Sequence, residues 1–300
     1  VMCQHGLEPD VVTFNSAVSA CEKGRRWLYA LDIKRAMRRH GLKSDIITHN
    51  AVVSACEKGA RWRVALGFFG AVWMTGIQPT TVTYCALLST CEKAEEWERA
   101  LLSWFNMWCM RVQLDIVACN ATVSACEKGK EWERAMYLLR VMFQAKLQPD
   151  VVTYCATISA CEKGQQGDRA LSLLAEMLRA GLEPNVVAFS AAISAAEKRH
   201  EWAGALTLLV AMRHWGLGAD TISVNAAISA CEKGQQWLRA IQLLGGVQGG
   251  LAEATIITCG AAISACEKGR RWAATLRLLG DMRDLNMRPG PIMYSAAISA

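Results

Sequence analysis

Two sets of side chains recur in this chain at a spacing that chemistry could use. Lys23, Lys58, Lys93, Lys128, Lys163, Lys198, Lys233 and Lys268 stand 35 residues apart, each near the end of the phrase Ser-Ala-Cys-Glu-Lys-Gly or a close variant. At the same period stand small polar residues, Asn15, Asn50, Asn120, Ser190 and Asn225, and a second polar series, Asp45, Thr80, Asp115, Asp150, Asn185, Asp220 and Thr255. A row of ammonium groups offers a polyanion one contact per period. Amides and carboxylates offer donors and acceptors to a hydrogen-bonding edge. The lysines have a plainer use as well, because a cation at a helix C-terminus complements its dipole. Each follows a glutamate, Glu22, Glu57, Glu92, Glu127, Glu162, Glu197, Glu232 or Glu267. These acids lower the potential of the row and are expected to bridge, Lys of one repeat meeting Glu of the next, at a gain of roughly 0–1 kcal/mol per exposed pair.

No constellation for catalysis accompanies these rows. His5, His40, His49, His200 and His214 follow no common register and form no ligand cluster with cysteine. His49 falls where other repeats carry an aromatic, so packing is expected of it. The 13 cysteines include no Cys-x-x-Cys pair, and most recur 35 residues apart. That pattern is neither a compact disulfide framework nor a zinc site; it fits a reducing compartment with Cys as a small apolar packing residue. No glycine-rich phosphate loop follows a strand, and paired acids such as Glu95-Glu96 fall on exposed helix starts. The reading is therefore of a chain that is not an enzyme, with no cofactor, no metal and no small-molecule substrate.

Lys and Arg exceed Asp and Glu by 33 − 27 = 6, a balance compatible with a polyanionic partner. Residues 64–91 carry no charge for 28 residues, long enough to span a bilayer, but Gly76-Ile77-Gln78-Pro79 interrupts them at a turn of the repeat, so no membrane segment is expected. No targeting peptide is visible. Val1 as first residue and the repeat restarted at Ala300 suggest a piece of a longer chain, with further protein contacts possible through the missing ends.

These rows need elements to carry them. The period divides the chain into repeats 11–45, 46–80, 81–115, 116–150, 151–185, 186–220, 221–255 and 256–290, with partial repeats 1–10 and 291–300. Each repeat reads as two helices. Phe14, Ala17, Val18 and Cys21 have the i, i+3, i+4, i+7 spacing of one helical face; Trp27, Ala30, Leu31 and Met37 mark a second helix. Gly24 suits a left-handed cap, and Pro79, Pro149, Pro184 and Pro289 mark the closing turns. Neither helix buries its face alone, so hairpins must stack. The expected fold is all-α, a right-handed α-solenoid of about eight helix-turn-helix repeats forming a single array over 1–300. Trp27, Trp62, Trp97, Trp132, Trp202, Trp237 and Trp272 read as packing between second helices. Gly167 breaks that series and should weaken its repeat, and Gly245, Gly246, Gly249 and Gly250 should fray theirs, at roughly 1 kcal/mol per glycine. On the first helix, Val12, Asn15 and Ser19 share a side away from the core, one such set per repeat, which would allow one nucleotide per hairpin.

A 35-residue hairpin that opens Val11-Val12-Thr13-Phe14-Asn15 or Val151-Val152-Thr153-Tyr154, and closes Gly181-Leu182-Glu183-Pro184-Asn185, resembles the pentatricopeptide repeat family over essentially the whole chain. The tetratricopeptide repeat, with period 34, fits poorly. The resemblance implies single-stranded RNA as partner and an organellar role, in chloroplast or mitochondrion, in RNA processing, stability or translation. It implies that the second residue of each repeat sandwiches bases: Val12, Ile47, Val82, Val117, Val152, Val187, Ile222 and Ile257. It implies that fifth and last residues read the base. Asn15 with Asp45 and Asn120 with Asp150 resemble the uracil pair, and Ser190 with Asp220 the guanine pair. Asn50 with Thr80 and Asn225 with Thr255 imply a weak pyrimidine bias. Cys85 with Asp115, Cys155 with Asn185, and Gly260 with Gly290 depart from the pattern. The eight lysines would contact phosphate. The implied target is U, pyrimidine, any, U, any, G, pyrimidine, any, from the 5′ end.

Two other readings stay open: a solenoid scaffold that holds a peptide, and an array whose base code has decayed. The Asn and Asp residues also suit helix capping and turns, and both uses can coexist.

Overall fold

The computed structural model describes residues 10–74, 76–246, 255–285 and 287–300. Among them stand 17 helices and no strand. The first helices of the repeats are α1 Val11–Lys23, α3 Ile46–Lys58, α5 Thr81–Lys93, α7 Ile116–Lys128, α9 Val151–Lys163, α11 Val186–Lys198, α13 Thr221–Lys233 and α15 Ile256–Lys268. The second helices are α2 Trp27–Arg39, α4 Trp62–Met74, α6 Trp97–Cys109, α8 Trp132–Gln144, α10 Gly167–Arg179, α12 Trp202–His214, α14 Trp237–Gly246 and α16 Trp272–Asp284, and α17 Pro291–Ser299 opens a further hairpin.

The chain forms two compact bodies, 1–149 and 150–300. Within each body the architecture is the same. First helices pack side by side, α1 on α3, α3 on α5 and α5 on α7 in one, α9 on α11, α11 on α13, α13 on α15 and α15 on α17 in the other. Each second helix packs on the first helix of its own repeat and, as in α2 on α3 or α10 on α11, on that of the following one. First helices are thus covered on several sides. Their apolar content follows: α9 buries every residue from Thr153 to Cys161. Second helices bury one stripe, as in Ala170, Leu173, Leu174 and Met177 of α10.

Helix starts are set by the last residue of the preceding repeat. Asp10, Asp45, Asp150, Asn185, Asp220 and Thr255 each accept the backbone N–H three residues on. Each such cap contributes about 1 kcal/mol. Helix ends differ from the sequence expectation. Gly24 has φ −78° and is not left-handed. The left-handed residue is the next one, as in Arg25, Glu95 and Gln165. Glycine is needed for a different reason, close approach. A Cβ on Gly59 would lie 2.7 Å from Trp27 Cδ1, one on Gly129 2.4 Å from Trp97 Cδ1, and one on Gly269 2.7 Å from Trp237 Cδ1.

The tryptophans are therefore not core residues between second helices. The half-buried indoles of Trp27, Trp97, Trp202 and Trp237 each close on the glycine that ends the next first helix, Gly59, Gly129, Gly234 and Gly269. Arginines of the next repeat lie over several indoles, Arg61 over Trp27 at 5.2 Å and Arg271 over Trp237 at 4.5 Å. Trp272 is 63% exposed. Gly167 does not leave the gap that the broken series suggests. Its partner position holds Arg199 instead of glycine, and a Cβ on Gly167 would meet Arg199 Cδ at 2.4 Å. The arginine side chain occupies the place of the missing indole and pairs with Asp168 and, at 2.8 Å, with Glu201. Gly245 and Gly246 lie within α14, while Gly249 and Gly250 lie outside the described residues.

Candidate nucleic-acid interface

Every first helix presents its second residue to solvent. Val12, Ile47, Val82, Val117, Val152, Val187, Ile222 and Ile257 are all exposed, from 52% at Val117 to 70% at Ile257. Neither packing nor propensity explains them. Exposed apolar area is unfavourable by roughly 25 cal/mol per Å², and β-branched residues are weaker helix formers than alanine. A row of exposed branched aliphatics, one per hairpin, is a surface for flat apolar faces.

The fifth and last residues meet in four of the repeats. Asn15 Nδ2 donates to Asp45 Oδ2 at 3.1 Å and lies 3.3 Å from Oδ1. Asp45 also accepts the Thr48 N–H at 2.8 Å as the cap of α3. Burial works against the Asp45 charge, but bonds from the Thr48 N–H, the Thr48 hydroxyl and Asn15 outweigh it and hold the carboxyl below its ordinary pKa. Capping and pairing are thus done by one carboxylate. Ser190 Oγ donates to Asp220 Oδ1 at 2.9 Å, and Asp220 caps α13 through the Ser223 N–H at 2.9 Å. Asn50 Nδ2 reaches Thr80 Oγ1 at 3.5 Å, a long contact. Cys155 Sγ donates to Asn185 Oδ1 at 3.1 Å. Burial, with Asp115 adding to it, pushes the Cys85 thiol up to about 11, so it stays a neutral weak donor. Asn120 and Asp150 fall in different bodies, and Asp150 caps α9 through the Thr153 N–H at 2.9 Å. Gly260 and Gly290 offer no side chain.

The repeating lysines are engaged along the stack. Lys58 meets Glu22 at 2.9 Å, Lys93 meets Glu57 at 2.8 Å and Lys128 meets Glu92 at 3.3 Å. In the second body Lys198 meets Glu162 at 2.7 Å, Lys233 meets Glu197 at 2.6 Å and Lys268 meets Glu232 at 2.9 Å. Each of these six lysines reaches the glutamate of the preceding repeat, the reverse of the direction expected from sequence. Adjacent residues point about 100° apart around a helix. On side-by-side helices Glu therefore faces onward and Lys backward.

Two features escaped sequence reasoning. The third residue of a following repeat joins the polar pair: Thr48 Oγ1 lies 2.5 Å from Asn15 Oδ1, and Thr83 and Thr258 donate to Asn50 and Asn225 Oδ1, each at 2.6 Å. Thr48 and Thr83 lie 33 residues from their partners, a signal readable in the repeats. The other is Lys34, at a place held by Phe69, Trp104, Leu139 and Leu174 in other repeats. Its Nζ lies 3.0 Å from His49 Nδ1 and 4.4 Å from the centre of the Phe68 ring. Burial and the nearby Arg38 push Lys34 down to about 8, and burial with Lys34 beside it pushes His49 down to about 4. His49 is the packing residue its register implies.

Among the described residues no three His, Cys, Asp or Glu converge to hold a metal ion, and no helix is long and apolar enough to cross a membrane.

Comparison with known proteins identifies the repeat. The pentatricopeptide repeat domain model matches residues 32–94, 106–165 and 138–199, and a single-repeat model of the same family matches 12–42. No curated relative matches the chain. Among solved structures, the chain is similar to the pentatricopeptide repeat protein PPR10 from maize, at 21% identity and a TM-score of 0.59. It is also similar to PPR10 in complex with an 18-nt psaJ RNA element, at 17% identity and a TM-score of 0.71. Both alignments cover 99% of this chain and 48% of the other, so the chain spans about half the length of those relatives. The PPR domain of Arabidopsis thaliana protein-only RNase P 1, in complex with tRNA, matches at 14% identity and a TM-score of 0.52, covering 57% of this chain and 90% of that one.

Proposed function

The chain belongs to the pentatricopeptide repeat family, and from that premise we propose that it binds single-stranded RNA along the exposed edge of its first helices, one nucleotide to each hairpin. The observation that carries this reading is the eight exposed Val and Ile side chains, one per repeat, with polar pairs formed at Asn15–Asp45, Asn50–Thr80, Cys155–Asn185 and Ser190–Asp220. Aliphatic groups on either side of a base remove its faces from water while the pair meets its edge.

The pairs differ in what they have left to offer. Asn15 has given one amide hydrogen to Asp45 and keeps a second, while Asp45 Oδ2 keeps lone pairs. A donor beside an acceptor complements a pyrimidine, and uracil best, whose carbonyl and N3–H take one each. Asn120 with Asp150 has the same residues and the same assignment. Ser190 has spent its only proton on Asp220, so that pair offers acceptors alone. Guanine, with N1–H and N2–H on one edge, is its complement. The resulting target is U, pyrimidine, any, U, any, G, pyrimidine, any. The lysines serve as phosphate contacts in this reading, with part of the three N–H donors of Lys58, Lys93, Lys128, Lys198, Lys233 and Lys268 committed to glutamate. The proposed setting is a chloroplast or mitochondrion, and the proposed consequence is processing, stabilisation or translation of a transcript.

The test is a gel shift with oligonucleotides of this target and of poly-A, over a range of salt. Asp45→Asn with Asp150→Asn should move preference from uracil toward cytosine at those two nucleotides. Unchanged preference, or equal indifference to all oligonucleotides at low salt, would leave a peptide-binding scaffold as the better reading.

A further inference from the structure

Which end of the asparagine amide faces the base is a separate choice from having asparagine there. An amide presents a donor or an acceptor according to its flip, so the reading residue needs a partner that fixes it. The repeats of this one chain show such a partner. At a separation of 33 residues, Asn15, Asn50, Asn120 and Asn225 are each followed by threonine, at Thr48, Thr83, Thr153 and Thr258. Cys85 and Cys155 are followed by alanine, at Ala118 and Ala188; Ser190 by Ser223; Gly260 by Met293. A Cβ on Gly260 would lie 3.0 Å from Met293 Cε, so that side chain reaches toward the place left vacant.

The geometry gives the reason for the match. Thr83 Oγ1 accepts the Thr80 backbone N–H at 3.1 Å, closing the capping box of α5. With that lone pair engaged, its hydroxyl proton points to Asn50 Oδ1 at 2.6 Å. Thr258 does the same, accepting the Thr255 N–H at 3.2 Å and donating to Asn225 Oδ1 at 2.6 Å. In these two repeats the last residue is threonine, whose hydroxyl accepts or donates equally well and cannot choose the flip. In the first repeat the Thr48 hydroxyl lies 2.5 Å from Asn15 Oδ1 and 2.8 Å from Asp45 Oδ1, and its one proton serves one of them at a time; there Asp45, an acceptor only, fixes the amide by taking the Asn15 N–H.

Resting on the RNA-binding reading above, we propose that the third-place threonines Thr83 and Thr258 are positioning residues for base selection, while Asp45 does this work in the first repeat. Each holds its asparagine with the amide N–H, and not the C=O, turned to the base. The capping box that starts one hairpin thereby sets the specificity of the hairpin before it.

The experiment substitutes alanine in the full chain, as Thr83→Ala and Thr258→Ala together, and Thr48→Ala separately. Alanine already stands at this place in α7 and α11, which are intact helices. Binding is measured for oligonucleotides varied at the nucleotides facing the first, second, sixth and seventh repeats. Side-chain amide resonances of the asparagines are recorded in parallel, without RNA. Thr83→Ala with Thr258→Ala should lower pyrimidine-over-purine preference at their nucleotides by about five- to ten-fold. Preference facing Ser190 and Asp220 should be untouched, and Thr→Ser should restore the loss. Thr48→Ala should have a smaller effect, because Asp45 remains. Helical alanine variants that keep the parent's preference, with unmoved amide resonances, would overturn the threonine role alone. A parent chain indifferent to base at every nucleotide would overturn the selection role together with the reading it rests on.

Discussion

The hairpin pair formed by repeats 11–45 and 46–80 and the pair formed by 151–185 and 186–220 are built on equivalent helices, and two of their packing contacts differ. In the first, Trp27 closes on Gly59, and the core place between α2 and α3 holds Lys34 against His49. In the second, Gly167 faces Arg199, and the equivalent core places hold Leu174 and Phe189, 3% and 1% exposed. In each case both members changed together. A large ring with a glycine became a glycine with a long cation, and two apolar groups became a lysine with an imidazole. The lesson is that a stack of identical hairpins joins residues at fixed separations, so the pair is the unit that must fit. A residue that looks out of place in one repeat is explained by a residue 15, 32 or 33 positions away.

The largest expected effect comes from breaking one pair in the apolar region. Leu174→Lys alone should destabilise its body by about 3–4 kcal/mol in urea unfolding, because it buries a charge without a partner. Adding Phe189→His should return part of that loss if the Lys34–His49 pair is transferable, and a double variant no better than the single would show that it is not. Next, Gly167→Trp with Arg199 retained should cost roughly 2–3 kcal/mol, since the new side chain and Arg199 claim one space. Gly167→Trp with Arg199→Gly should recover most of it by recreating the Trp27–Gly59 contact. Additive losses in that cycle would break the comparison.

A pH titration separates the two regions without mutation. Burial and the adjacent Lys34 hold His49 neutral with a folded-state pKa of about 4, against an ordinary value of 6.5. Between those values the unfolded chain takes up a proton that the folded one refuses, so stability falls as pH drops through this window. The charged neighbours of His49 are Lys34, which opposes its protonation, and Asp45, which favours it. Hydrogen exchange should show the first two hairpins losing about 2 kcal/mol from pH 7 to pH 4, and Lys34→Leu should shrink that loss. Equal losses at α10 and α11, which carry no histidine at this contact, would refute the assignment. The smallest effect is expected in the Lys–Glu rows. Lys198→Met should change stability by about 0–1 kcal/mol, because the pair it breaks is partly exposed. Its effect on RNA affinity should exceed that and fade at high salt.

Much of the molecule was legible because the period is rigid. The 35-residue spacing, the i, i+3, i+4, i+7 faces and the capping residues Asp45, Asp150 and Asp220 place both helices of each repeat where they lie. The candidate reading residues were legible by register. Errors arose wherever a residue's purpose depends on the next hairpin. Gly24 and Gly59 look like left-handed caps because glycine usually is one there, yet it is the neighbouring indole that excludes a Cβ at Gly59. Gly167 looks like a defect until Arg199 is set beside it. The Lys–Glu bridges run backward because adjacent residues face opposite neighbours, which a linear pattern does not show.

By itself the sequence determined the helical hairpin, its repetition, and the series of side chains left over from the core, since those follow from local periodicity and composition. The tertiary structure alone decided which residues meet: indole with glycine, glutamate with the following lysine, amide with the next repeat's threonine. Those choices depend on the rotation and offset between neighbouring helices, quantities that appear only when one hairpin is laid on another.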